Sequence, residues 1–420
     1  MKQYLTRLIE ITIEKQMKAA GCVVIEGPKW CGKSTTGERF AKTIVKLRNP
    51  LVFKKYDVLA SIDERQLLNG EKPLMFDEWQ KIIPLWDFIR DDIDTNGGRG
   101  KYILTGSAKP IDDHNRHTGT GRFARVMMRP MSLWESGDSS GQVSLEEIFA
   151  GNHQISGDSN IDFEKIARLI CRGGWPESIG ESDSTALLIA RNYYKSLVEQ
   201  DITNVDYIKR NPERAKKIIQ AYARSVSSLA SNRTIINDIA ANDVTFDTKT
   251  LSSYTNALRM LFCIEDVPAW SPKLRSKTLI RTTNKRQFVD PSIPAAALGA
   301  SPDDLMNDVN TMGLLFESLC IRDLRVYAEA IDGAVYHYHD TNDLEADAII
   351  HLDNGEWGAV EIKLGGNRID DAAQKLLKLQ ARVDTDTIKE PKFLMVLTGL
   401  NYAYRRDDGV LVVPIGCLKN

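Results

Sequence analysis

The sequence predicts an α/β protein of several domains, and three observations lead to that fold class. The chain has 420 residues, more than one compact core usually contains, so roughly two to four domains are expected. Over the first third of the chain, short apolar runs alternate with helical patterns, which is typical of a parallel sheet with crossover helices. From Gly313 onwards, a second pattern of helix, strands, helix and strand follows a mainly helical middle region.

Composition and charge narrow the class of protein. Hydrophobic residues make up 42% and charged residues 27% of the chain, the balance of a globular protein rather than a disordered one. The net charge of -2 gives no chain-wide positive field, so any nucleic-acid binding would depend on a local basic patch. The cysteines are scattered without a C-x-x-C pair, which favours reduced thiols over a structural zinc site. No apolar run is long enough to span a bilayer. We therefore expect a cytoplasmic protein with no membrane partner.

The first predicted domain covers residues 1–150. Helical periodicity and apolar runs predict its elements in order: a helix at 5–20, a strand at 22–26, a helix from about 35 to 45, and strands at 51–53, 74–77 and 102–105. Such strands, each followed by a crossover, place their carboxyl ends at one edge of a sheet.

A glycine-rich loop joins the first strand to the second helix. The pattern G-x-x-x-x-G-K-[ST] is matched in full by Gly27, Gly32, Lys33 and Ser34, with Thr35 beside it. In such a loop, backbone N–H groups surround phosphates, Lys33 neutralises the β- and γ-phosphates, and the Ser34 hydroxyl ligates Mg²⁺. A chance match is the alternative, but the preceding strand and following helix are the context that the motif requires. The sequence therefore predicts ATP and Mg²⁺ as ligands.

Two further strands end in polar residues that fit a nucleotide site. The run 73–76 leads into Asp77, expected to hold Mg²⁺ through water, and Glu78, expected to polarise the attacking water. The next strand ends near Thr105 and Ser107, either of which would touch the γ-phosphate or the water. A strand followed by an acidic helix cap is the simpler alternative for the first pair, and strands often close on polar residues.

Arginines follow these strands. Arg116, Arg122 and Arg125 lie in or near the segment Gly119-Thr-Gly-Arg-Phe-Ala-Arg. An arginine here would stabilise the charge of the transition state, in the same chain or in a neighbouring copy, and a homo-oligomer is therefore possible. Solvated surface charge is the alternative. We include Arg122 among the predicted nucleotide-binding residues.

The middle of the chain predicts a helical lid or linker at 151–215 and a winged-helix domain at 216–300. Helices begin near Thr234 and Asp247, and the segments 263–270 and 279–289 have the pattern of a β-hairpin wing. The predicted recognition helix, 250–261, and the residue before it would present polar side chains to a groove: Lys249, Ser252, Ser253, Asn256 and Arg259.

Basic residues crowd the predicted wing, namely Lys273, Arg275, Lys277, Arg281, Lys285 and Arg286. A local basic cluster on a near-neutral chain suits contact with DNA phosphates. Winged helices also dock proteins, and a protein partner is the alternative.

The last predicted domain, residues 301–420, contains a cluster of carboxylates and a lysine. Asp347 and the pair Glu361 and Lys363 fall on the two strands of a predicted hairpin around an Asp-Asn-Gly turn. The strand period of two puts Glu361 and Lys363 on one face, and Glu317 on the preceding helix is placed to complete the set. Charged groups in apolar strands need partners or a metal. We predict a Mg²⁺ site for phosphodiester hydrolysis, with a single internal salt bridge as the alternative.

The order of these motifs resembles the prokaryotic AAA-type ATP-binding proteins that carry a C-terminal domain of unknown function. The resemblance extends through Leu-Met-Phe-Asp-Glu, Leu-Thr-Gly-Ser, Gly-Arg-Phe and Pro-Met-Ser-Leu-Trp-Glu-Ser-Gly. It implies a P-loop domain followed by winged-helix and PD-(D/E)xK nuclease-like folds. It also implies that the nucleotide site contains Lys33, Ser34, Asp77 and Glu78. The nuclease-like cluster would contain Glu317, Asp347, Glu361 and Lys363. One departure is that no proline precedes the aspartate in Leu344-Glu-Ala-Asp.

Two functions remain open at this point. One is an ATP-driven DNA-processing enzyme in which the nucleotide state controls a metal-dependent nuclease. The other is a nucleotide-switched regulator whose C-terminal half binds nucleic acid or a protein without cutting. The intact carboxylate–lysine set favours the first, and the low overall positive charge favours the second.

Overall fold

A computed structural model of the chain describes residues 4–107, 119–206, 208–240, 246–271, 283–383 and 388–420. It divides into two compact units, an N-terminal unit containing Thr6–Arg129 and a C-terminal unit containing 130–259 and 263–420. None of the helices in the described ranges is long and apolar enough to cross a membrane.

The N-terminal unit is a parallel sheet with helices on its faces. Its strands are β1 (Cys22–Glu26), β2 (Thr43–Lys46), β3 (Leu74–Asp77), β4 (Tyr102–Gly106) and β5 (Phe123–Met127). Its helices are α1 (Ile9–Ala19), α2 (Lys33–Glu38), α3 (Pro50–Ile62), α4 (Glu64–Leu67) and α5 (Leu85–Asn96). The strand order is β2-β3-β4-β1-β5, so β4 separates β1 from β3. The polar residues at the carboxyl ends of β1, β3 and β4 therefore meet at one edge.

Two predicted elements of this unit were wrong. Leu51–Phe53, predicted as a strand, lies in α3, because Pro50 sits at its first turn and the Asn49 side chain accepts hydrogen bonds from Leu51 N and Val52 N. The helix predicted up to residue 45 ends at Glu38, and Thr43–Lys46 forms β2 instead. The β-branched run Thr-Ile-Val suits this strand, which pairs in parallel with β3.

The C-terminal unit contains a mixed sheet covered by helices. Its strands are β6 (Val143–Ser144), β7 (Gly157–Asp158), β8 (Gly333–His339), β9 (Glu345–Leu352), β10 (Trp357–Lys363), β11 (Leu394–Thr398), β12 (Tyr402–Arg405), β13 (Leu411–Pro414) and β14 (Leu418–Lys419). The large sheet has the order β7-β12-β13-β11-β10-β9-β8, and β14 pairs with β6. The long segment of the N-terminal unit ends at Arg129, and Met260–Phe262 also belongs to that unit; both β6 and β7, which flank the predicted boundary at 150, belong to the C-terminal unit.

The helices of this unit are α6 (Leu145–Phe149), α7 (Phe163–Arg172), α8 (Asp183–Ser196), α9 (Ile202–Asn204), α10 (Pro212–Arg224), α11 (Asn232–Ala240), α12 (Thr248–Met260), α13 (Ser292–Leu298), α14 (Pro302–Asn307), α15 (Val309–Ala330) and α16 (Ile369–Arg382). The predicted hairpin is present, since β9 and β10 pair antiparallel across the Asp-Asn-Gly turn. Single antiparallel bridges join Ile264 to Phe288 and Val267 to Lys285, within the segments predicted as a wing.

Candidate nucleotide site and the C-terminal ion cluster

The glycine-rich loop leaves β1 and opens α2. Gly27 and Gly32 have φ angles of 147° and 103°, a region that favours glycine. A Cβ atom on Gly27 would lie 2.1 Å from the carbonyl oxygen of Met128, so the close approach of the β5 end also requires glycine there. At Gly27 and Gly32 the loop backbone thus adopts a conformation that would be strained for other residue types.

Lys33 is folded into this loop. Its Nζ donates to the carbonyl oxygens of Gly27 at 2.9 Å and Pro28 at 2.6 Å, and the residue is buried. The ammonium group is therefore held inside the loop by neutral carbonyl acceptors, for which charged phosphate oxygens would be stronger replacements. Thr35, in the first turn of α2, is exposed.

Ser34, Asp77 and Thr105 form a hydrogen-bonded chain across the sheet edge. The hydroxyls of Ser34 and Thr105 donate to Asp77 Oδ1 at 2.5 and 2.8 Å. Asp77 and Thr105 are register partners on β3 and β4. Asp77 Oδ2 is buried and accepts no hydrogen bond from the described residues, and Arg48 Nε lies 3.6 Å away. A buried carboxylate oxygen without a donor beside a hydroxyl fits an oxygen-liganded cation such as Mg²⁺.

Glu78 follows Asp77 and has a left-handed backbone, with φ of 60°. Its N–H donates to the Thr105 carbonyl at 3.0 Å. Ser107 Oγ lies 3.2 and 3.3 Å from its two carboxylate oxygens, and Gln80 Nε2 donates to Oε2 at 2.5 Å. Hydrogen bonds therefore fix this carboxylate beside Asp77, at the edge that carries the glycine-rich loop. Gln80 was missed from the sequence, since nothing local marks it.

Arg122 is not brought to this edge. It precedes β5, and its carbonyl accepts from the N–H of Cys22, the first residue of β1. Since β1 and β5 are parallel, Arg122 lies at their amino ends, opposite the glycine-rich loop. Its Nε donates to Asp94 at 2.6 Å, an ion pair between half-exposed side chains. The placement of Arg122 in its own chain's nucleotide site was wrong; Arg116 lies outside the described residues.

The C-terminal carboxylates and lysines converge. Asp347 lies on β9, and Glu361 and Lys363 lie on β10. Lys363 Nζ lies 3.1 Å from Asp347 Oδ2 and 2.6 Å from Glu361 Oε2, so both carboxylates share one face of the sheet. Glu317, on α15, joins this ion cluster through Lys285, a residue that the sequence had assigned to the wing surface.

Lys285 is buried among these carboxylates. Its Nζ lies 2.6 Å from Glu317 Oε1 and 3.0 Å from Asp347 Oδ1. Burial disfavours ionisation of Asp347, but the ammonium groups of Lys285 and Lys363 hold its pKa well below the usual range. Burial, with the charge of Asp347, raises the pKa of Glu361 to about 7. The cluster therefore balances its charge internally, with two ammonium groups against carboxylates that are incompletely ionised.

This arrangement does not fit the predicted divalent ion. An ammonium group already lies between Glu317 and Asp347, where an oxygen-liganded ion would have to sit. In the part of the chain that the structure describes, no three His, Cys, Asp or Glu side chains are arranged to hold a metal ion. The geometry therefore does not support the expectation of a metal at Asp347 and Glu361. The expectation arose because the sequence could not show that a second lysine enters the cluster.

The predicted recognition helix is α12, and part of it borders an open polar cavity of about 350 Å³. The cavity is lined by Asn232, Ser252, Thr255, Asn256, Arg259, Asp266, Asn284 and Arg286. Ser253 points elsewhere and contacts Arg210. Arg286, expected on the wing surface, is buried and donates to Asn232 Oδ1 at 2.8 Å. Lys273, Arg275, Lys277 and Arg281 lie outside the described residues.

Three segments of the chain match models of protein families. Residues 20–136 match an AAA domain, residues 163–304 match a domain of unknown function (DUF8612), and residues 312–418 match another domain of unknown function (DUF4143). No curated protein matches the chain. The N-terminal segment is therefore an AAA-type, ATP-binding P-loop domain, whereas the other two matches assign no activity.

Solved structures resemble the chain only remotely. A Walker-type ATPase of Pyrococcus abyssi is 14% identical with a TM-score of 0.42, over 70% of this chain and 96% of that one. A RuvB variant of Thermotoga maritima is 14% identical with a TM-score of 0.24, over 62% of this chain and 89% of that one. A STAND protein with a tetratricopeptide repeat sensor from Pyrococcus horikoshii is 13% identical with a TM-score of 0.23, over 79% and 50%. At these scores the likenesses carry no argument about function.

Proposed function

We propose that the N-terminal unit binds Mg²⁺-ATP and hydrolyses it. The hydrogen-bonded chain from Ser34 through Asp77 to Thr105 carries the proposal, because it places a hydroxyl and a carboxylate at the mouth of the glycine-rich loop. Ser34 would ligate Mg²⁺ directly and Asp77 through water. The ion would supply neutralising charge to the β- and γ-phosphates.

The remaining steps, phosphate binding and activation of the attacking water, are assigned to different residues of the chain. The loop N–H groups would surround the phosphates, and Lys33 would turn from its own carbonyl partners to the β- and γ-phosphates. Glu78, fixed by Ser107 and Gln80, would accept a proton from the attacking water or orient it. Each group performs one step, so each can be removed separately.

Lys33→Ala should abolish nucleotide binding, because the phosphate charge loses its main partner. Glu78→Gln should bind ATP with near wild-type affinity and hydrolyse it at least about a hundredfold more slowly, since only the water-activating group is lost. Binding is measured with a fluorescent ATP analogue and turnover by phosphate release. Lys42→Ala, which removes an exposed lysine of the same unit, is the control. Equal turnover by Glu78→Gln and wild type would remove Glu78 from the mechanism.

For the C-terminal unit, we propose a module that binds DNA without cutting it. The support is the polar cavity along α12, where Ser252, Asn256 and Arg259 share one helix face and Arg259 lies 3.0 Å from Asp266. Arg259 and Arg286 both line the cavity and Asp266 is its single carboxylate, so the lining carries one net positive charge. Cleavage is not proposed, because the ion cluster does not fit a divalent ion. A winged-helix fold for the segment around α11 and α12 remains part of this proposal.

Reversing Lys273, Arg275 and Lys277 to Glu should weaken duplex binding and flatten its dependence on salt. Loss of three phosphate contacts reduces the magnitude of the negative slope of log K against log salt by about 2.7. Fluorescence anisotropy from low to moderate salt measures the slope, and reversal of the exposed Lys42, Lys54 and Lys55 is the control.

In the same buffers with Mg²⁺ or Mn²⁺, supercoiled plasmid should stay intact. Nicking by wild type that Asp347→Ala stops would contradict the non-cleaving module. Absence of any salt-dependent DNA binding would instead indicate a surface that docks a protein.

A further inference from the structure

The ion cluster contains an internal cation with a fixed position. Lys285 Nζ is within hydrogen-bond distance of Glu317 Oε1 and Asp347 Oδ1, at 2.6 and 3.0 Å. Lys285 is 8% exposed and Asp347 is 7% exposed, so water contributes little to the balance of charge. Two carboxylates, one on α15 and one on β9, therefore share one ammonium group.

The backbone of Lys285 is held on both sides. Its N–H and carbonyl each bond to Val267, at 2.9 Å in both directions. The next residue, Arg286, donates to the Ser228 carbonyl and accepts from the Ser227 N–H, both at 2.8 Å. These bonds fix the start of the side chain, and the ammonium group itself would have to break its hydrogen bonds to both carboxylates in order to leave.

Both oxygen atoms of Asp347 are already engaged. Asp347 Oδ1 accepts from Lys285, and Oδ2 accepts from the Ile362 N–H at 2.9 Å and from Lys363 at 3.1 Å. Glu361 is fully buried; its Oε2 is ion-paired with Lys363 at 2.6 Å, whereas its Oε1 has no donor among the described residues. A divalent cation needs about six oxygen ligands at roughly 2.0–2.6 Å. It would therefore have to displace an ammonium group and could not share the site with it, since like charges at such a distance repel strongly.

We infer that Lys285 is the resident cation of this cluster and takes the position that a divalent ion would otherwise occupy. The wild-type cluster consequently binds no divalent ion. Removing the ammonium group would leave Glu317 and Asp347 converging on one point with only Lys363 to offset their charge, together with a new space for an ion and its waters. The lysine is thus a structural substitute for a metal.

The experiment measures Mn²⁺ binding to the nucleotide-free full chain by electron paramagnetic resonance. Wild type and Asp347→Asn should bind the same amount of Mn²⁺. Lys285→Ala should bind one additional ion per chain, at least about tenfold more tightly than wild type binds any Mn²⁺ without nucleotide. The double variant Lys285→Ala/Asp347→Asn should lose that ion. Lys378→Ala, an exposed lysine on α16, should behave as wild type.

Two outcomes would overturn the inference: wild-type Mn²⁺ binding that Asp347→Asn reduces, or a folded Lys285→Ala that gains no ion. Circular dichroism establishes folding. Should Lys285→Ala not fold, Lys285→Gln keeps most of the length of the side chain without its charge, and the comparison of wild type with Asp347→Asn still decides. ATP hydrolysis, measured in parallel, tests the nucleotide site separately, so neither result depends on the other.

Discussion

Single residues differ in how much of their surroundings the sequence reveals. The glycine-rich loop is a local pattern, so Gly27, Lys33 and Ser34 could be located from spacing alone, and Asp77 followed from one apolar strand. Lys285 could not be located in this way. Its partners are 32 and 62 residues away, and no local spacing encodes a contact between an isolated β-bridge, a helix and a strand. Buried carboxylates were expected to need a partner or a metal, and in the structure Lys285 is such a partner.

His337 shows a further effect of burial at the residue scale. It lies on β8 and is 1% exposed, and its Nε2 lies 3.0 Å from the carbonyl oxygen of Thr283. Burial, reinforced by the charge of Lys285, lowers its pKa to about 4. In the unfolded chain a histidine titrates near its usual pKa of about 6.5. The folded state therefore binds fewer protons than the unfolded state between these two values.

Acid should consequently destabilise the C-terminal unit. The stability that neutral His337 contributes is fully present above about pH 6.5 and is lost as pH falls towards 4, by about 3 kcal/mol in total. Urea unfolding at several pH values measures this loss. His337→Gln retains a donor for Thr283 but cannot titrate, so its stability should fall less over the same window. His153→Gln is the control in the same unit. Parallel curves for wild type and His337→Gln would rule out His337 as the source.

At the scale of elements, strands with long apolar runs were predictable and short ones were not. Cys22–Glu26, Leu74–Asp77 and Tyr102–Gly106 lie in the centre of the sheet and are buried almost throughout, so their continuous apolar sequence identified them. Leu51–Phe53 offered only three apolar residues, too few to distinguish a strand from a helix. The cap formed by Asn49 and Pro50 decided for the helix, and that signal was present in the sequence but given too little weight.

The C-terminal elements illustrate the same limit with long-range pairing. The β9–β10 hairpin was predictable, because its turn and alternation are local. The pairing of β7 with β12 was not, since it joins Gly157–Asp158 to a strand more than 240 residues later. Two-residue strands carry no periodicity, and a partner so distant leaves no trace in local composition.

At the scale of the whole molecule, the C-terminal unit is assembled from segments far apart in sequence. Arg322, on α15, is 2% exposed and connects them: its guanidinium lies 3.0 Å from Asp290 Oδ2 and 2.7 Å from Asp323 Oδ1. Asp290 in turn accepts from the Gly174 N–H at 2.9 Å, and Asp323 accepts from the Leu133 N–H at 3.0 Å. One buried cation thus supports two carboxylates that fix segments some 190 residues apart.

Arg322→Met should therefore destabilise the C-terminal unit severely. It leaves Asp290 and Asp323 buried without their cation, and breaking a buried ion pair in this way costs about 3–5 kcal/mol. Burial already raises the pKa of Asp323, and without the guanidinium the carboxyl group would retain its proton to higher pH. As pH rises above the usual pKa of an aspartate, the variant should therefore lose more stability than wild type does. Arg224→Met breaks an ion pair with Asp238 that is half exposed, and should cost no more than about 1 kcal/mol. Thermal and urea unfolding of the three proteins at two pH values measure both effects. A cost for Arg322→Met as small as that for Arg224→Met would mean that the main-chain hydrogen bonds to Asp290 and Asp323, rather than the buried arginine, hold these segments together.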